Sequence, residues 1–215
     1  MSNEISKESN CYNDVILCDF CCPFTSAHAA EREGASFKSY QEELTRLNKE
    51  LGTNYTLSPT EGETQESMQA FFMAMTIDEF DKYIYAAYEA EMKFDSIVKK
   101  PRTEIKTSEK EETRSTLTTQ RLYYDGANSL YLKAYTTTVN GTTIYTGDVH
   151  SSSHTIVSYP AYKVRSYSTS FSSNKRTVAC TWRCSKYISK NVVATGDYTL
   201  SCTFTAGGGN IYPVV

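Results

Sequence analysis

Two of the chain's three histidines, His150 and His154, fall in one short stretch, Gly147-Asp148-Val149-His150-Ser151-Ser152-Ser153-His154. In a strand, residues four apart face the same way, and Asp148 would join them. Two imidazoles and a carboxylate are a ligand set that a transition metal accepts. The same imidazoles could act as general base to a serine or thiol nucleophile. The serine run between them reads instead as a polar loop. No Gly-x-Ser-x-Gly nucleophile elbow occurs, and after residue 112 the only carboxylates are Asp125, Asp148 and Asp197. The sequence therefore points to no catalytic residue, no metal site and no cofactor. His150, His154 and Asp148 are the residues to inspect for either chemistry.

Cysteine is the other reactive type. Cys11, Cys18, Cys21 and Cys22 lie before Ala29, whereas Cys180, Cys184 and Cys202 lie in the last third. The early cluster is not followed by a His or Cys pair at the spacing of a tetrahedral zinc site. Cys202 could reach Cys180 or Cys184 in a disulfide if their strands adjoin. The simpler reading is three reduced thiols filling a core as small apolar groups.

A third pattern is aromatic and basic. Tyr131, Tyr135, Tyr162, Tyr167 and Tyr187 interleave with Lys133, Lys163, Arg165, Arg183 and Lys186. Tyrosine is a rigid contact residue with a polar tip, so these positions suit a glycan, a peptide or a cell-surface polymer. Single-stranded nucleic acid fits less well. The net charge is −3, made of −10 over residues 1–112 and +7 over residues 113–215, and the acidic half can neutralise the basic half internally. Gly207-Gly208-Gly209 has no helix after it to supply amides and dipole, so it reads as a terminal turn and not as a phosphate loop.

These side chains must be positioned by two different kinds of element. Residues 113–215 hold 32 Ser or Thr and 11 of the 17 Tyr, a composition suited to half-buried strands. Before them, Phe37, Tyr40, Leu44, Leu47 and Leu51 repeat at three and four and predict a helix closed by Gly52. A second, shorter helix is expected over 65–75, its Met68, Phe71, Phe72, Met73 and Met75 reading as core. The third starts at a capping box, Thr76-Ile77-Asp78-Glu79, and runs to about Lys99. The polar stretch 101–118 reads as a linker.

Alternation then predicts strands over 130–139 and 142–149 around Asn140-Gly141, a type I′ hairpin signal. A second hairpin follows over 162–171 and 176–187, and a further strand over 198–205. Val178, Cys180, Trp182 and Cys184 share one face of their strand; Tyr198, Leu200, Cys202 and Phe204 share one face of theirs.

Gly196-Asp197-Tyr198-Thr199-Leu200-Ser201-Cys202 resembles a late strand of immunoglobulin-like domains, including those of bacterial surface proteins. In true immunoglobulin domains a Tyr stands two residues before the second Cys, and the Trp lies on a strand separate from both cysteines. Here Tyr198 is four before Cys202, and Trp182 lies between Cys180 and Cys184. The resemblance is to the sandwich style, and it implies a binding or spacing role.

At the amino end, Val15 to Phe24 is an apolar run followed by Ala27-His28-Ala29, the layout of a secretory signal cleaved after Ala29. Glu4, Glu8 and Asp14 stand where a signal is basic, and Asp19 interrupts the run. No stretch is long enough for a transmembrane span.

The organisation expected is a signal-like or disordered segment 1–29, a helical unit 30–100 of two or three helices, a linker 101–118 and an antiparallel β-sandwich 119–215. The fold class is α+β, helices followed by an immunoglobulin-like sandwich. The expected function is a non-catalytic binding or surface-interaction module exported by a bacterium to the medium or cell envelope. The alternatives are a secreted hydrolase using His150 or His154, and a cytoplasmic protein with a Cys-rich tail.

Overall fold

The computed structural model describes residues 36–97, 102–110, 115–125, 127–208 and 213–214. The signal-like stretch, the four early cysteines and His28 lie outside them. Residues 34–215 form one compact unit. In chain order it contains α1 (Phe37–Leu51), β1 (Tyr55–Leu57), α2 (Gln65–Met73), α3 (Ile77–Ile97), β2 (Arg102–Lys110), β3 (Thr116–Tyr123), β4 (Ser129–Val139), β5 (Thr142–Thr155), β6 (Ala161–Phe171), β7 (Thr177–Ser189), β8 (Val192–Thr205) and β9 (Pro213–Val214). Among the described residues no helix is long and apolar enough to cross a membrane.

Local chemistry sets the helix ends. Gly52, at φ 68°, closes α1 and donates its amide to the Asn48 carbonyl. The capping box before α3 is formed in both directions. The Glu79 amide donates to Thr76 Oγ1 at 3.2 Å, and the Thr76 amide donates to Glu79 Oε2 at 2.7 Å.

The strands make two antiparallel sheets packed face to face, so the class is α+β with an antiparallel sandwich. One sheet runs β2-β3-β4-β5; the other runs β1-β8-β7-β6, with β9 beside β8. Immunoglobulin domains exchange strands between sheets by Greek-key connections. The described strands instead run as two successive meanders, joined where the chain passes from β5 to β6. Strand β2 lies within the stretch that reads as a linker and pairs with β3, Arg102 opposite Tyr123 and Thr107 opposite Thr118. The β4–β5 turn is Asn140-Gly141 with φ of 50° and 75°, the double positive φ of a type I′ turn.

The matched faces of β7 and β8 meet in register: Val178 opposite Phe204, Cys180 opposite Cys202, Trp182 opposite Leu200 and Cys184 opposite Tyr198. Against them lie Leu122, Leu130, Leu132 and Ala134 of the facing sheet, all buried. The indole of Trp182 packs edge-on to Phe204 and donates to Ser152 Oγ at 2.7 Å.

The same face of β7 and β8 continues toward their shared turn with a different cover. Ile188, Val192 and Ala194 pack into a second core with Tyr40, Leu47, Met68, Phe72, Phe80 and Ile84 of the helices. Lys186 sits where the two cores meet. It lies under α3, and its ammonium bonds Glu91 Oε1 at 2.7 Å and Asp95 Oδ1 at 2.6 Å. Lys190 similarly pairs with Glu63 at 2.8 Å. Acids of the first half thus neutralise bases of the second across the helix–sheet boundary.

Candidate functional site

His150 and His154 do not converge. Lys133 pairs with Ser151 while Ala134 pairs with Val149, so His150 is an extra residue, a bulge that reverses the facing of the residues after it. His154 stands opposite the buried Leu130, whereas His150 lies on the outer face of the sheet against Tyr135, with ring centres 5.8 Å apart. A four-residue interval keeps one face only in an unbulged strand. Asp148 sits in a second irregularity, between the Ala134 and Thr136 pairings. Among the described residues no group of three or more metal-ligating side chains gathers.

The imidazole of His154 is engaged at both nitrogens. Nδ1 accepts from the Val164 amide at 3.3 Å, so Nε2 carries the proton and donates to Glu61 Oε2 at 3.0 Å. Nearby Ser152 is likewise committed, donating to the Tyr131 carbonyl at 2.8 Å while accepting from Trp182. Among the described residues, the hydrogen-bond partners of the two imidazoles are Tyr135, Glu61 and the Val164 amide, neither a serine hydroxyl nor a thiol.

Cys180, Cys184 and Cys202 are buried free thiols. Cys180 and Cys202 oppose each other across β7 and β8, and Cys184 opposes Tyr198. Removal from water pushes each thiol from 9.0 up to about 12, which withholds the thiolate that nucleophilic chemistry needs.

The five singled-out tyrosines occupy three places. Tyr131 and Tyr135 alternate with buried Leu130, Leu132 and Ala134 and so lie on the outer face of their sheet. Tyr131 stands between Arg121 at 5.8 Å and Lys133 at 5.9 Å from its ring centre. Tyr162 is buried, packed on Tyr124 at 5.1 Å and Phe94 at 5.6 Å. Tyr167 and Tyr187 border a groove on the side where β5 and β6 form the sheet edges.

That groove consists of two adjoining depressions, of about 270 Å³ and 450 Å³, which share Glu61, His154 and Lys163. The smaller is walled by Tyr159 and Tyr187, with ring centres 6.5 Å apart and planes 41° apart. Lys163 Nζ lies 5.7 Å from the centre of the Tyr187 ring, a favourable cation–π placement. The larger depression runs past Arg165, Ser166 and Tyr167.

Loops deliver Tyr159 and Glu61, two lining residues that the sequence did not mark, and buried asparagines hold both loops. Asn128 accepts the Val157 amide at 2.6 Å and the Ser158 amide at 3.3 Å, and it donates to the Ser158 carbonyl at 3.0 Å. This sets the turn that presents Tyr159. Asn191, at φ 64° in the β7–β8 turn, accepts the Thr60 amide on Oδ1 at 2.9 Å and the Ser58 amide on its carbonyl at 3.0 Å. It thereby anchors the loop that carries Glu61. Tyrosine before proline between two strands is the one sequence signal that could have marked Tyr159.

No family model, curated protein or solved structure matches this chain.

Proposed function

We propose that this protein is an exported, non-catalytic binding module that holds a glycan, peptide or other polar polymer in the groove beside β5 and β6. The observation that carries the reading is the exposed ring of Tyr159, which lines one depression together with Lys163, whose ammonium lies over the buried Tyr187 ring. Tyr159 is 38% exposed, and it sits beside a lysine with no carboxylate at ion-pair distance among the described residues. A rigid, partly exposed aromatic ring next to such a cation makes a recognition surface at small entropic cost. His154, engaged at both ring nitrogens, serves this surface as a wall that fixes Glu61.

Replacing Tyr159 by Ala tests the proposal, because its ring is partly solvent-exposed and its removal spares the core. Full-length protein is applied to arrays of polysaccharides and peptides. The variant is expected to lose at least about tenfold in affinity for whatever the wild type retains, with its melting temperature unchanged. Retention of nothing by the wild type, or equal retention by both proteins, would remove the binding reading.

Export is supported by the apolar run Val15 to Phe24 followed by Ala27-His28-Ala29. Every groove residue lies beyond Ala30, so cleavage after Ala29 leaves the site whole. The expected intact mass of the protein made in its own cells is that of a chain starting at Ala30, recovered from the envelope or medium. An intracellular product retaining Cys11 to Cys22 would refute export.

A further inference from the structure

We infer that the outer edge of β6, over residues 165–170, is a pairing edge for an extended segment of a partner polypeptide, uncharged in its middle and acidic toward its ends; the inference rests on the binding-module reading.

The ladder fixes which backbone groups are free. Ser172 donates its amide to the Thr177 carbonyl at 3.0 Å, and β6 keeps that register with β7 back to Ser166 opposite Arg183. Alternation then turns the amides and carbonyls of Ser166, Ser168 and Ser170 to β7, and those of Tyr167 and Thr169 away from it. Among the described residues no strand is hydrogen-bonded to β6 on that side. Before the bulge the chain closes the same edge with side chains. Tyr124 Oη accepts the Tyr162 amide at 2.9 Å, and His154 Nδ1 accepts the Val164 amide at 3.3 Å. At the far end the Tyr145 amide donates to the Lys175 carbonyl, and the Tyr145 ring meets Phe171. Between these two closures the edge is bare. Arg165, Ser166, Tyr167, Ser168 and Ser170 are exposed, and among the described residues no hydrogen bond reaches the outward groups of Tyr167 and Thr169.

An open edge selects its occupant by its repeat. Tyr167 and Thr169 each present a donor beside an acceptor, about 7 Å apart along the strand, and the complement of that pattern is another extended peptide backbone. A phosphodiester backbone has no donor for the two carbonyls, and sugar hydroxyls do not alternate with acceptors at that period. Charge then selects among peptides. Residues 166–171, Ser-Tyr-Ser-Thr-Ser-Phe, carry no charge, whereas Lys163 and Arg165 precede them and Lys175 and Arg176 follow in the turn. Of these four, among the described residues, only Arg165 has a carboxylate at ion-pair distance. That carboxylate, on Asp197, is 85% exposed, and so exposed a pair exchanges readily for a partner's. Glu61, which lines the groove near Lys163, is turned to His154 Nε2. The same cations disfavour a second copy of this chain, because antiparallel pairing of Thr169 with its own counterpart sets Lys163 opposite Lys175.

Calorimetric titration of the full-length protein with an end-blocked peptide of alternating Val and Thr, flanked by Glu at both ends, tests this. A form N-methylated throughout, which cannot donate to a ladder, and a form flanked by Lys serve as comparisons. The Glu-flanked peptide is expected to bind, with each comparison peptide about tenfold weaker or worse. T169P removes the outward amide and spares the bonds to β7, so it is expected to lose about tenfold, while T169A keeps the affinity. The N-methylated peptide probes the same bonds on the unaltered protein, and its result stands even where T169P lowers the melting temperature. Equal binding of the N-methylated or the Lys-flanked peptide, or wild-type affinity in a folded T169P, would overturn the edge-pairing inference. So would a concentration-dependent dimer that T169P abolishes, since the edge then takes a second copy. If the Glu-flanked peptide does not bind while the arrays return a Tyr159-dependent ligand, the inference alone falls and the module stands. If nothing binds in either experiment, both fall.

Discussion

Replacing Lys186 by Met should cost about 3 kcal/mol of stability, or roughly 6–12 °C in melting temperature for a chain of this size. The side chain is 3% exposed, and its ammonium satisfies two carboxylates at once. Glu91, at 14% exposure, is nearly as deep, while Asp95 is more than half in water. The aromatic rings of Phe94 and Tyr198, with centres 5.7 Å and 5.6 Å from Nζ, exclude solvent from the remaining ammonium surface. Tyr55 donates its hydroxyl to the other oxygen of Glu91. Methionine preserves the aliphatic length and packs against the same rings, so the loss isolates the charge. Glu91 is left with one phenol for company, and a stranded buried carboxyl group is the expensive outcome. The double variant K186M/E91Q should recover part of the loss, since it removes the stranded charge. A single variant within about 0.5 kcal/mol of wild type, the range of an ordinary surface change, would mean that water already reaches the knot. The knot also has a pH sense. Burial lowers the Lys186 pKa, but the bonds to Asp95 and Glu91 outweigh it and leave the value raised. Its contribution is therefore present below the ordinary lysine range and lost as pH climbs through the folded value.

The seam that Lys186 occupies explains what could be read from the chain and what could not. Helix α3 announces itself in Thr76 to Glu79 because a capping box is local chemistry. Helix α1 does so through its three-and-four spacing, and the β7–β8 core through strict alternation. Each of these signals lies in contiguous residues and depends on no distant partner. Strand β1 is three residues long and exists because Tyr55 to Leu57 pairs with Ala194 to Val192, a contact some 140 residues away in the chain. Strand β2 is almost wholly polar, so composition reads it as linker. The first residues of β8 escaped for a related reason: the β7–β8 turn is Lys190-Asn191, with Asn191 at φ 64° and no glycine to mark it.

The groove was harder still to foresee. Period two places His154 on the face of His150, and one inserted residue reverses it. Tyr162 and Tyr167 belong to one strand, yet they end in different surroundings. Between Val164 and Ser166 the pairing of β6 with β7 slips by a residue, which brings the two, five apart, onto one face opposite Lys186 and Trp182; Tyr162 is buried there under Phe94 and Tyr124, while Tyr167 is 39% exposed at the groove. Glu61 and Tyr159 come from loops with no period at all, placed by Asn191 and Asn128 through hydrogen bonds that only the folded chain brings together. Periodicity locates cores, and this candidate site is built from departures from periodicity: two bulged strands and two asparagine-held loops.

The same buried core predicts an abrupt alkaline limit. Each of Cys180, Cys184 and Cys202 is raised from 9.0 to about 12, first by burial, and for Cys180 also by the neighbouring thiols. Tyr83 and Tyr162 are raised from 10.0 to about 12, again chiefly by burial. A group whose folded pKa is raised holds its proton in the native state after the unfolded chain has released it. Stability is then complete below the unfolded value and falls as pH rises toward the folded one. Every such group takes away ~1.4 kcal/mol per pH unit within its window, so the three thiols together set a slope of ~4 kcal/mol per unit above pH 9. The tyrosines steepen it from pH 10. Against a total stability of about 5–15 kcal/mol, cooperative unfolding before pH 12 is the expected result. Urea midpoints measured at pH 8, 9, 10 and 11 should be nearly level over the first interval and drop sharply over the next two. The double variant C180A/C202A starts lower, because it opens space beside Trp182, but its decline above pH 9 should be shallower by ~3 kcal/mol per unit. Identical slopes in the two proteins would show that the thiols titrate alike in the folded and unfolded chains, contrary to their burial between the sheets.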